Sequence, residues 1–381
     1  MAKIFYGVCG EGRGHATRAQ AVVDDLGEKN EIVIYAPGQA YDHLARVYRG
    51  AGITVRRIPG LGFHYRERFK LDYWRTAWRG LRDLTRFPET IRQVQRDIEA
   101  DQPDLVITDF EPIIARAARR CGVPFLSLNH QHFLLTYDLR GLSPSLRFHA
   151  ALMGQVVRAY CSGQVHTIVS SFYFPPLKAH CRNVTQVGVL LRKQVLAAPR
   201  ERGSHLVAYF RRFASAEVWN ALGQCGCEVR AYGVGARPRL GSLRFFEVDP
   251  ERFLADLATS RGLISTAGNQ LVGEALYLGK PVLAIPEPGN YEQAINAHFL
   301  REIGAGTSVE MDRFTPGMVH RFLENAGDFP CSMNRSRLCG NPVALAVINR
   351  ILKGSPSPLA KPRPSSLYGR LRFETVSDIS V

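Results

Sequence analysis

The chain has 381 residues, 45% of them hydrophobic, which is too long for one ordinary core and suits two globular domains. No apolar run reaches the roughly 18–20 residues that a membrane-spanning helix needs, and the N-terminal apolar run ends in a glycine loop rather than a leader cleavage site, so the expected location is cytoplasmic. Forty-nine Lys and Arg against 34 Asp and Glu give a formal charge of +15, which points to an anionic partner: an acidic lipid surface, a phosphorylated acceptor or nucleic acid.

The predicted elements alternate. Lys3–Cys9 is a near-continuous apolar run, as a buried parallel strand requires, and Glu31–Ala36, Ile53–Ile58, Asp104–Thr108 and Pro124–Leu128 repeat it. Helical patterns at 15–28, 39–50, 74–100 and 111–121 separate them. The second half repeats the scheme, with strands at Ser204–Phe210, Cys227–Tyr232, Leu243–Val248, Gly262–Ser265 and Pro281–Ile285. Helices are expected at 214–223, 250–258, 268–278, 291–303 and 315–325. This alternation predicts two doubly wound α/β domains with parallel sheets, spanning 1–174 and 204–340. The stretch 175–203 carries Pro175, Pro176 and Pro199 and few periodic signals, so it reads as a linker. A helix at 341–353 precedes a basic Pro/Ser tail, 354–381, whose composition cannot bury a core and predicts disorder. The eight cysteines are scattered, and Cys225-x-Cys227 alone is not a zinc pattern, so no metal site is expected.

Two such domains turn their strand ends toward one crevice, where sheets of this kind bind ligands. Gly10-Glu11-Gly12-Arg13-Gly14-His15 lies there, between the first strand and the first helix. It fails as a dinucleotide fingerprint: the third glycine would fall at His15, and the second strand ends in Ala36-Pro37, without the acid that meets a ribose. Gly12, Arg13 and Gly14 suit a loop approached by a phosphate or an acceptor. A helix N-terminus disfavours the imidazolium, so His15 is a candidate general base. Asp109, at the end of the DLVIT strand, is placed to accept from its Nδ1–H, or to cap the helix that follows.

Ser265-Thr266-Ala267-Gly268-Asn269-Gln270 forms a second strand-to-helix turn, whose free amides suit a diphosphate. Glu274 follows six residues after Gly268; next come Gly279-Lys280-Pro281, Pro286 and Glu292-Gln293-Ala294-Ile295-Asn296-Ala297. This order resembles the donor site of the GT-B glycosyltransferases. It is similar to the plant UDP-sugar transferases and to the bacterial N-acetylglucosaminyltransferases that complete lipid II. The likeness covers roughly 1–350, and its specific part is about 265–297. It implies a GT-B fold of two Rossmann-like domains, the first binding the acceptor and the second the nucleotide sugar. It also implies that the turn amides hold the phosphates, Glu274 the ribose hydroxyls, and Glu292 with Gln293 the transferred sugar. His15 with Asp109 would be the base dyad. Two departures alter the base pocket: the plant motif has His where Thr266 stands and Trp where Asn269 stands.

The resemblance implies an inverting, metal-independent transfer of a hexose or N-acetylhexosamine from a nucleotide-diphosphate sugar, with UDP the expected nucleotide, without a cofactor. Arg13 and Arg18 are candidates to stabilise the leaving diphosphate. The segment 61–96 interleaves aromatics (Phe63, Tyr65, Trp74, Trp78) with arginines (Arg66, Arg75, Arg79, Arg92). It fits a peripheral membrane face and a lipid-linked acceptor, a nucleic acid, or an amphipathic helix packed on the core. Two other readings stand beside transfer: an isomerase like the UDP-N-acetylglucosamine 2-epimerases, and a non-catalytic binder of sugar nucleotides or nucleic acid.

Overall fold

The structure is a computed structural model and describes residues 1–10, 12–60, 87–211, 214–327, 329 and 334–354. Most of the basic aromatic segment (61–86) and the tail beyond Gly354 lie outside the described residues.

The first sheet holds seven strands: β1 (Lys3–Val8), β2 (Glu31–Ala36), β3 (Thr54–Arg57), β4 (Leu105–Asp109), β5 (Phe125–Asn129), β6 (His166–Ser170) and β7 (Val184–Val187). Their order is β3-β2-β1-β4-β5-β6-β7, and every pairing is parallel. Helices α1 (Arg13–Leu26), α2 (Gly38–Val47), α3 (Phe87–Asp101), α4 (Pro112–Arg120), α5 (Phe133–Thr136) and α6 (Pro144–Tyr160) connect them. The near-continuous apolar runs are explained by burial on both faces: Ile4, Phe5 and Tyr6 are all fully covered.

After α7 (Lys193–Ala197) the second sheet begins. Its strands are β8 (Leu206–Tyr209), β9 (Val229–Tyr232), β10 (Leu243–Phe245), β11 (Leu263–Ser265), β12 (Val282–Ala284) and β13 (Gly306–Ser308), in the order β10-β9-β8-β11-β12-β13, again all parallel. Its helices are α8 (Ala216–Gly223), α9 (Pro250–Ala258), α10 (Asn269–Tyr277), α11 (Tyr291–Glu302) and α12 (Pro316–Glu324). Two further helices, α13 (Arg335–Leu338) and α14 (Asn341–Gly354), close the described chain.

Both sheets therefore reverse direction once, between β1 and β4 in the first and between β8 and β11 in the second. These switch points open crevices at the strand carboxyl ends, and both predicted loops sit at them.

One expectation about the middle of the chain is corrected. The stretch 175–203 is not a bare linker: Val184–Val187 pairs with β6 as the edge strand of the first sheet. Its sequence, VTQV, is only half buried, so it lacks the apolar run that marks the inner strands. The last helix also returns to the first half. Ala344, Val347 and Ile348 join the core cluster of Ile4, Tyr6 and Val22, and Asn341 Oδ1 accepts from the Leu191 amide at 2.8 Å.

Candidate active site

His15 stands in the first turn of α1, whose N-cap is Gly12. Gly12 adopts φ 81°, a left-handed backbone that disfavours other residues, and a side-chain carbon there would meet the Arg211 guanidinium at 2.5 Å. Arg211 follows β8, so the two switch-point loops touch. A side-chain carbon on Gly14 would lie 3.6 Å from Cβ of Gln270, in the first turn of α10.

His15 Nδ1 lies 2.8 Å from Asp109 Oδ1, joining the start of α1 to the end of β4. Asp109 is fully buried and also receives a bidentate arginine: Arg18 Nε donates to Oδ2 at 2.8 Å and Nη2 to Oδ1 at 2.6 Å. Burial pushes the Asp109 carboxyl up, but the charge of Arg18 and then His15 outweigh it, and the net shift is downward. The carboxylate is therefore charged, and Nδ1 donates to it. The approach of Arg18 Nη2 to the same Nδ1, at 2.8 Å, is then a close contact and not a second bond. Nε2 is the nitrogen left for an acceptor hydroxyl.

This geometry revises Arg18. The sequence offered it to a leaving phosphate, but its side chain is 2% exposed and committed to Asp109. It holds the carboxylate that His15 contacts. Asp109 does not cap α4 either. Glu111 does, accepting from the amides of Ile113 at 3.0 Å and Ile114 at 2.7 Å. The residue between them, Phe110, is left-handed (φ 57°), and its ring stacks over His15. A non-glycine residue held there costs about 1–3 kcal/mol, so the surrounding packing must impose it.

The second turn carries the same signature. Ala267 is fully buried with φ 62°. Among the described residues only three non-glycines have positive φ, and two of them, Phe110 and Ala267, end the strands beside the two switch points. Gly268 is the N-cap of α10, and no side chain caps it. Around this helix start, Ser265 Oγ, Asn269 Oδ1 and Gln270 Oε1 are buried without a hydrogen-bond partner. Buried polar atoms are ordinarily paired, so this concentration makes the helix start a candidate site for a polar ligand. Thr266 is 6% exposed beside them.

Glu274 is 4% exposed, accepts from Gln270 Nε2 at 3.0 Å, and lies 3.5 Å from Arg192 Nη2. Glu292 Oε2 accepts from Gln131 Nε2 at 3.3 Å, across the cleft, and its charge acts on Arg18 and His130. Gln293 faces its own loop: Oε1 accepts from the Glu287 amide at 2.7 Å, and Nε2 donates to Glu287 Oε2 at 3.1 Å. Arg13 is exposed at the start of α1. Burial first, then the charges of Arg13, Arg192 and Arg46, hold His43 below its ordinary pKa, so the cleft wall on this side is positive.

Several participants escaped the sequence reading. Arg192 belongs to the stretch taken as linker. Asn129 ends β5 and His130-Gln131-His132 follow it, and a run of polar residues at the carboxyl end of an inner strand was the available signal. His130 and His132 are both buried, and burial pushes each down to about 4, so both are neutral near pH 7.

No helix among the described residues is long and apolar enough to cross a membrane. The chain is 23% identical over 343 residues to an uncharacterized glycosyltransferase of Methanosarcina mazei, covering 83% of this chain and 88% of that one. Over 117 residues, 30% of each chain, it is 32% identical to the UDP-N-acetylglucosamine–N-acetylmuramyl-(pentapeptide) pyrophosphoryl-undecaprenol N-acetylglucosamine transferase of Paramagnetospirillum magneticum. The structure of LpCGTa in complex with UDP superposes with a TM-score of 0.61 at 16% identity, covering 94% of this chain and 97% of that one. The fold is GT-B. The family described as Glycosyl transferase family 1 matches residues 2–327, and the chain belongs to it: it is a glycosyltransferase.

Proposed function

We propose that this glycosyltransferase moves a hexose or N-acetylhexosamine from a UDP-sugar to an acceptor hydroxyl with inversion at the anomeric carbon. The observation that carries this reading is the His15–Asp109 bond at the first switch point, opposite an uncapped helix start ringed by partnerless polar atoms at the second. The acceptor O–H gives its proton to His15 Nε2 as the oxygen attacks the anomeric carbon. The bond from that carbon to the diphosphate breaks on the opposite side, which inverts the centre. Asp109, held by Arg18, keeps the proton of Nδ1 in place and stabilises the imidazolium that forms. The amides of Gly268, Asn269 and Gln270 receive the leaving diphosphate, with Arg13 on the positive wall. In this reading no metal is required.

Glu274 takes the ribose hydroxyls, exchanging its present contacts with Gln270 and Arg192 for them. Glu292 takes a hydroxyl of the transferred sugar, and its place opposite Arg18 and His130 supports this. Gln293 joins it after releasing Glu287. UDP is favoured because it is the nucleotide bound to LpCGTa and the donor nucleotide named for the Paramagnetospirillum transferase. The pyrophosphoryl-undecaprenol acceptor named for that transferase and the +15 charge support an anionic, lipid-linked acceptor and a peripheral position on a membrane.

The test is a thermal-shift screen of nucleoside diphosphates, followed by turnover assays with the corresponding sugars in excess EDTA. Slow donor hydrolysis to the inverted sugar, read by NMR, is expected. An epimerised sugar nucleotide, binding without turnover, or activity abolished by EDTA and restored by magnesium would overturn the reading.

A further inference from the structure

The donor turn is gripped from behind by a side chain that the chemistry above does not use. Asn296, on α11, is fully buried, and its Nδ2 donates to the carbonyl of left-handed Ala267 at 3.0 Å. A carbonyl only accepts, so the amide must present its NH2 to Ala267 and its oxygen the other way. There Oδ1 accepts from the Tyr173 hydroxyl at 2.9 Å and meets His130 Nε2 at 3.0 Å. Both belong to the first half, His130 after β5 and Tyr173 after β6. The Tyr173 ring also stacks on Phe299 of α11, centroids 4.3 Å apart. A parallel tie runs from Asn269 Nδ2 to the Ser170 carbonyl at 3.1 Å.

We infer that Asn296 is a positioning residue. It holds Ala267 left-handed, so that the first amides of α10 face the cleft, and it does so while anchored to the first half. Docking of the two halves thereby assembles the diphosphate subsite. Asn296 touches neither donor nor acceptor. The inference rests on reading residues 265–270 as that subsite.

The test begins without ligand. Asn296→Ala should raise hydrogen exchange of the amides at 266–270 by about tenfold, the loss expected for one well-placed hydrogen bond. It should weaken UDP binding in calorimetry by about the same factor. Adding Ala267→Gly should return UDP binding to within about threefold of wild type, because glycine adopts positive φ without strain. Asn296→Ala should also lower the melting temperature, and it should stay low in the double variant, since Tyr173 still lacks its partner; a residue that acts only through global stability would not give this split. Tyr173→Phe, a milder change, should raise exchange at the same amides about two- to fivefold, and it carries the test if Asn296→Ala does not fold. Unchanged exchange at 266–270 in a folded Asn296→Ala protein, or in Tyr173→Phe when that variant carries the test, overturns the inference. So does failure of Ala267→Gly to restore binding that Asn296→Ala had weakened. Raised exchange in a protein that binds no nucleoside diphosphate, even as wild type, would uphold the latch and refute the diphosphate reading.

Discussion

The pairing of Arg18 with Asp109 permits a quantitative test of the candidate base. Arg18→Met removes the guanidinium and leaves Asp109, which has no solvent exposure, with His15 as its remaining side-chain partner among the described residues. The two lost bonds, at 2.8 and 2.6 Å, are both to a charged group and are each worth about 1.5–3 kcal/mol. That agrees with the roughly 3–5 kcal/mol seen when one partner of a buried ion pair is deleted. Because the folded carboxyl titrates below its ordinary 3.8, the pair contributes in full at pH 7, and its contribution is lost only as pH falls through the lowered value. The expected fall in melting temperature is about 6–20 °C, at roughly 2–4 °C per kcal/mol. The double variant Arg18→Met/Asp109→Asn contains no stranded charge and should recover at least about 2 kcal/mol, a coupling typical of contacting residues. Turnover should not recover, because the carboxylate that orients His15 is still gone. Calorimetric melting of the wild type, both single variants and the double variant, with donor hydrolysis measured on each, completes the cycle. An Arg18→Met protein as stable as wild type, or a double variant no more stable than Arg18→Met, would refute the assignment of a charged, arginine-held Asp109.

His15→Ala should reduce transfer by about 10²–10⁴-fold while UDP affinity, read by calorimetry, stays near wild type; near-normal turnover would remove His15 as the base. Glu274→Ala should weaken both UDP and the intact donor by on the order of 1.5–3 kcal/mol. Gln293→Ala should spare UDP and impair only the sugar-bearing donor, and equal losses on both ligands would reject that division. Burial pushes the Glu111 carboxyl up from 4.5 to about 7. A raised acid stabilises the fold fully below pH 4.5, and that contribution declines as pH rises through 7. Urea unfolding at pH 5 and pH 8 should therefore show wild type losing about 3 kcal/mol relative to Glu111→Gln over that interval, and parallel pH profiles would falsify the shifted titration.

The amino-acid pattern alone determined the two-sheet architecture. Strands buried on both faces of a parallel sheet are near-continuously apolar, so Lys3–Val8 and Leu105–Asp109 announced themselves, as did most inner strands of the second half. Local chemistry likewise marked both glycine turns, because each lies where a strand ends and a helix begins. His15 and Asp109 were legible as a pair because one opens the helix after the first strand and the other ends β4, where both line one crevice. What stayed hidden depends on contacts distant in sequence. Val184–Val187 is a half-buried edge strand whose residues carry no periodic signal, and its neighbour β6 identifies it. Arg18 and Asp109 are 91 residues apart, so no local pattern tells a buried arginine that holds a carboxylate from a solvated one facing a phosphate. Glu111 and Asp109 both neighbour one helix start; in the folded chain Glu111 caps it, and Asp109, on the other side of left-handed Phe110, meets His15 and Arg18. Asn296, 123 residues from Tyr173, acquires its meaning from a hydrogen bond that exists only when the two halves meet. Burial and docking are properties of the folded chain, and tertiary structure set the state and role of every polar group they enclose.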